Sequence, residues 1–69
     1  MMSDNQFQAL VKLVPLKAEA VRRGCYLVLV EGVPEPEAAR QVGMTYRALW
    51  NAVKRCRVKI ELARTVVGQ

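Results

Sequence analysis

The stretch "PEAARQVGMTYRALWNAVKR", residues 36–55, decides how the rest of the chain is read. It opens with a proline suited to the first turn of a short helix, and Glu35 and Glu37 suit the positive end of that helix's dipole. Ala38, Ala39 and Val42 form the apolar side of this helix, predicted over about residues 36–42. Gly43 breaks it, because glycine accepts a left-handed backbone that other residues adopt at a cost. Thr45 is a good N-cap for a second helix beginning near Tyr46. Leu49, Val53, Cys56 and Ile60 recur at helical spacing and mark its buried stripe. Small Ala39 lets the two helices cross closely, and Val42, Met44, Leu49 and Val53 can fill the angle between them. The pattern is a helix-turn-helix over about residues 36–57. Such pairs serve either as purely structural units or as DNA readers whose second helix enters the major groove.

Working upstream, Ser3 and Gln6 form a capping-box pattern, and Phe7, Leu10, Val11 and Val14 predict a helix over about residues 4–14, closed by Pro15. A further helix is predicted over about residues 16–30, with Ala18, Val21, Cys25, Val28 and Leu29 as its stripe. The run from Cys25 to Val30 also suits a strand, but the length and the preceding period favour helix. Gly32, Pro34 and Pro36 supply the stop. Downstream, positions 49, 53, 56, 60, 63 and 67 fit a heptad seam on a continuing helix, which would turn Val58 to solvent. Val58, Ile60 and Leu62 also alternate, which fits a short C-terminal strand. Either element can pair two chains, so residues 58–69 are the candidate dimerisation segment. The expected fold is all-α: one domain over residues 1–69, a small bundle of four to five helices.

A chain of 69 residues buries only about 60% of its extended surface, so dimerisation or ligand binding often supplements its core. Residues 1–44 carry five cations and five anions, which cancel, whereas residues 45–69 carry six cations against Glu61 alone. The whole net charge of +5 therefore sits in the last third. Such asymmetry fits a polyanionic partner, either nucleic acid or an anionic surface. The basic helix keeps no broad apolar face once it packs on its neighbour, which disfavours the membrane. No apolar run is long enough to span a bilayer, and the polar, acidic opening from Met1 to Gln8 is unlike a signal peptide. The two cysteines, Cys25 and Cys56, read as reduced, buried small hydrophobes of a cytoplasmic protein. With no histidine, two thiols complete no structural zinc site. Neither a Gly-rich phosphate loop nor a metal cluster is visible, so no enzyme, metal, cofactor or small-molecule ligand is expected.

At 100° per residue from Leu49, Arg47, Asn51 and Lys54 lie nearly opposite the buried side, with Tyr46, Trp50 and Arg57 on one flank. Arg47 can donate two hydrogen bonds to a guanine edge, and Asn51 can pair with adenine. Lys54, Arg55 and Arg57, further along, suit phosphates, as does Thr45 with the first backbone amides. Taken singly, each is an ordinary surface residue; together, beside a glycine turn and the local charge, they favour double-stranded DNA. The rival is a protein-interaction module with Tyr46, Arg47 and Trp50 as its hot spot.

The segment "RRGCYLVLVEGVPEPEAARQVGMTYRALWNAVKR", residues 22–55, resembles the TrfB/KorA-like plasmid transcriptional repressors. The likeness rests on Gly43, Met44, Thr45, Ala48, Leu49, Ala52, Val53 and Arg55, with a fainter echo in "FQAL" at residues 7–10. It implies a homodimer that represses transcription from a palindromic operator, with Thr45, Tyr46, Arg47, Trp50 and Asn51 facing the groove. Two departures stand out. Family members are longer at the C-terminal, dimerising end, and they carry small residues near positions 47 and 50, where this chain has Arg47 and Trp50.

Overall fold

The computed structural model describes residues 2–66. They form four helices in chain order: α1 (Asp4–Val11), α2 (Glu19–Leu29), α3 (Glu35–Val42) and α4 (Tyr46–Val66). No strand occurs among the described residues, and none of their helices is long and apolar enough to cross a membrane. Position 67 of the heptad seam, with the rest of 67–69, lies outside them.

The helix starts follow local chemistry. Ser3 caps α1 through a full capping box: Gln6 N donates to Ser3 Oγ at 3.1 Å, and Ser3 N donates to Gln6 Oε1 at 2.9 Å. Regular α1 stops at Val11, short of the expected residue 14. The chain winds one further turn on Leu10 O, which accepts from Leu13 N and Val14 N. Pro15 then disfavours a helical residue before it. The next helix begins at Glu19 and not near residue 16, because Ala18 takes the extended N-cap conformation. Leu16 instead buries itself from the connecting segment, while Ala18, expected on the stripe, is exposed. Leu27 takes a core place the stripe had not included.

The core brings together Phe7 and Leu10 of α1, Cys25 and Leu29 of α2, Ala38 and Ala39 of α3, and Leu49, Ala52, Val53 and Cys56 of α4. Helices α2, α3 and α4 pack mutually, and α1 closes the open side. Phe7 meets Tyr26 edge to face, with ring centroids 5.3 Å apart, and Met2 N donates to Leu29 O at 3.1 Å. The closest approach is at Gly24. A methyl group added there would stand 2.8 Å from Leu49 Cδ1, inside van der Waals contact. Leu49 is completely buried and has little room to retreat.

Two thiols meet in this core. Cys25 on α2 and Cys56 on α4 are each 0% exposed, and both are free. The neighbouring Cys56 thiol, with burial adding to the shift, holds the Cys25 thiol above its ordinary value, and Cys25 in turn holds Cys56 below.

The C-terminal strand is not formed. A strand at a chain end needs a partner for its backbone groups, and none is present among the described residues. Helix α4 instead continues unbroken to Val66, so the helical period prevails over the alternation of Val58, Ile60 and Leu62. Val58 is 51% exposed, as a continuing helix requires, and Ile60 is half-buried.

Two predictions follow from this packing. Gly24→Ala should destabilise the fold by about 1–3 kcal/mol through overpacking. Gly43→Ala should cost about 1–2 kcal/mol by left-handed strain, and Gly43→Asn visibly less. Urea unfolding midpoints check both. A third concerns Tyr26, whose phenol is held above its ordinary value of 10.0 chiefly by the Asp4 carboxylate. A raised pKa means the stabilisation is present in full below about pH 10 and is lost as pH rises through the folded-state value. The unfolding midpoint should therefore fall more steeply above pH 10 in the parent than in Tyr26→Phe.

Candidate nucleic-acid interface

The turn before α4 is built from backbone bonds. Gly43 adopts φ 74° and ψ 31°, the left-handed region. Met44 N donates to Ala39 O at 2.9 Å, and Gly43 N to Arg40 O at 3.3 Å. This pair of bonds is a Schellman closure, which satisfies the last carbonyls of α3 and reverses the chain in few residues. A methyl group on Gly43 would touch nothing within 4 Å, so its backbone angle, not crowding, is what calls for glycine. Thr45 starts the next helix: its Oγ1 accepts from Ala48 N at 3.1 Å, and its carbonyl accepts from Leu49 N at 3.2 Å. Three residues thus fix where α4 begins.

All eight residues singled out from the sequence are exposed. Thr45 caps α4, Tyr46, Arg47, Trp50 and Asn51 occupy its first two turns, and Lys54, Arg55 and Arg57 follow. Because Leu49, Ala52, Val53 and Cys56 hold the opposite side in the core, the helical period turns Arg47, Asn51 and Lys54 outward together. Besides the Thr45 hydroxyl, two polar side chains of this set are engaged within the chain. Lys54 Nζ lies 5.1 Å from the centre of the Trp50 ring, a cation–π contact. Arg57 reaches Glu35 at 3.8 Å.

Trp50 is 40% exposed and Tyr46 51%. The Trp50 ring borders a shallow apolar groove that runs along α4 past Val53, Val58 and Leu62, with Glu35 at its rim. It is therefore a flank residue, neither core nor at the centre of the outward face. Glu35 has a second role beyond the start of α3. Besides suiting the dipole of α3, its largely covered side chain faces Arg57 and ties the start of α3 to the fourth turn of α4. Sequence spacing carries no sign of a pair 22 positions apart. On α3, Glu37 is bonded by Arg40 and, at 3.1 Å, by Gln41, so Arg40 is also engaged within its own helix.

Compared with known proteins, the chain matches no family model, no curated protein and no solved structure.

The N-cap is directly testable. Thr45→Ala should destabilise by about 1 kcal/mol, and Thr45→Asp or Thr45→Ser should restore most of that loss. Urea unfolding followed by circular dichroism at 222 nm reads it.

Proposed function

We propose that this chain is a sequence-specific, double-stranded DNA-binding transcriptional regulator, and that α4 is its recognition helix. One observation carries the reading. Arg47, Asn51 and Lys54 emerge on a single exposed face at the start of a helix whose origin is fixed by the Gly43 turn and the Thr45 cap. That segment also holds the entire net charge of the chain. Arg47 and Asn51 are the base readers, through bidentate bonds to guanine and adenine edges. Tyr46 and Trp50 lie beside them, with Trp50 held under Lys54. Thr45, Lys54, Arg55 and Arg57 contact phosphates, Arg57 after leaving Glu35.

The resemblance to TrfB/KorA-like repressors supports the finer points of the proposal: a plasmid or phage origin, a bacterial cytoplasmic setting, repression, and a homodimer on a palindromic operator. Residues 58–69 are the segment offered for pairing. The half-sites of such a dimer would lie about 34 Å apart, one turn of B-DNA. The rival reading, a protein-binding hot spot at Tyr46, Arg47 and Trp50, draws on the exposure of the two aromatic rings.

Selection from random duplex DNA, with the mass of the complex measured alongside, tests the proposal. Binding should fall steeply with salt, and Lys54→Ala should lower the log–log slope by about 1. Arg47→Ala should cost about 1–3 kcal/mol and relax preference at one position. Absence of duplex binding at low salt, or indifference to both Arg47→Ala and Asn51→Ala, would sink it. Capture of a protein through Trp50 with no DNA affinity would favour the rival.

A further inference from the structure

We propose that Glu35 is a specificity-determining residue of the DNA-binding face. By pairing with Arg57 it withholds one cation from duplex that α4 merely touches, and yields it to phosphate where α4 is seated in the groove. The proposal rests on the DNA reading above. Three ion pairs occur among the described residues. Glu19 with Arg22 and Glu37 with Arg40 each lie three residues apart on one helix. Glu35 with Arg57 alone joins two helices, and it engages one of the three cations assigned to phosphate.

The two partners are unequal. The Glu35 side chain is 17% exposed, the most covered acid of the three pairs. It opens α3, where the positive end of the helix dipole favours a carboxylate. The Arg57 side chain is 59% exposed. Glu35 therefore stays in place, and Arg57 is the partner free to leave. At 3.8 Å their contact is an attraction between charges, too long for a hydrogen bond. A phosphate within reach offers a guanidinium paired bonds of about 2.7–2.9 Å. Arg57 thus prefers phosphate at contact and Glu35 at any greater distance.

Distance is what separates the two modes of binding. Non-specific binding is held by charge alone. From a Debye length away, about 8 Å at physiological salt, opposite charges 3.8 Å apart nearly cancel. Arg57 then adds little to the hold on arbitrary DNA. It lies ten residues beyond Arg47, about 15 Å along the helix axis. Both side chains reach the duplex together only when α4 lies along the groove. There Arg57 gives up only an exposed ion pair, a weak interaction, and gains a phosphate. Glu35 thus removes a full cation from non-specific binding and takes little from the seated complex.

Fluorescence anisotropy over a salt series tests this, using the selected operator and a scrambled duplex of equal length. In Glu35→Gln, affinity for the scrambled duplex should rise about three- to tenfold, and its log–log salt slope should steepen by about 0.9, one more phosphate neutralised. Operator affinity should change by less than about twofold, with its slope unaltered, because Arg57 is already on phosphate there. The double variant Glu35→Gln, Arg57→Gln removes a neutral pair. It should hold scrambled duplex as the parent does and lose about 0.9 of slope on the operator. Glu31→Gln removes the same charge from an exposed acid outside the three ion pairs, and should not reproduce the Glu35→Gln pattern. Equal gains on both duplexes, an unchanged slope on scrambled duplex, or the same pattern from Glu31→Gln would overturn the proposal. Glu35→Ser, a second neutral residue suited to a helix start, repeats the reading should glutamine disturb the fold. A parent that binds no duplex would fell the DNA reading and this proposal together. A parent that selects an operator, beside a Glu35→Gln variant indistinguishable from it, would fell this proposal alone.

Discussion

Leu49 packs so closely on Gly24 that the space between α2 and α4 has no room for one more carbon. That contact sets the spacing of the two helices, and much of the remaining architecture follows from it. With α4 pressed against α2, Ala38 and Ala39 are small enough for α3 to close the third side, and both are buried. Val42, at the end of α3, approaches the same spot: its Cγ2 would lie 3.4 Å from an added methyl on Gly24. Close-packed interiors transmit such constraints, because a displaced methyl has nowhere to go. In 69 residues there is little other core to absorb the change.

The same contact fixes the rotation of α4. Once Leu49 points at Gly24, the helical period dictates where every other side chain of that helix looks. Leu49, Ala52, Val53 and Cys56 share the inward face. Arg47, Asn51 and Lys54 are carried outward as a consequence. Trp50 falls between the two and settles under Lys54, an arrangement that shelters part of the ring while leaving its edge in water. Packing and charge display are therefore two faces of one decision about how the helix is rolled.

What the sequence revealed were the features carried by neighbours in the chain. The glycine turn, the threonine cap and the capping box each act across three to five residues, and each occurs where its residues foretold. Helix ends were misplaced where one residue had two roles open to it. Ala18 reads as apolar stripe but serves as an extended cap, and Leu16 reads as helix but packs from a loop. Features that depend on distant positions left little trace: the approach of Gly24 to Leu49 and the pairing of Glu35 with Arg57.

The far end of α4 limits how two copies can pair. None of residues 57–66 is fully buried, and an isolated helix of that length is marginal in water. Its order is propagated from the anchored first half. Trp50, Lys54, Val58, Leu62 and Val66 stand four apart and form one ridge. Four residues turn through 400°, so this ridge drifts by about 40° at each step. It begins on the flank at Trp50, crosses the outward face near Val58, and leaves on the opposite flank by Val66. A second copy covering the ridge near Val58 would stand against the face that carries Arg47 and Asn51. Leu62 still looks outward, close in direction to Asn51, and only Val66 lies to the side of that face. A homodimer of the kind proposed would keep that face open if joined at the distal end of the ridge, at Val66, which is 84% exposed.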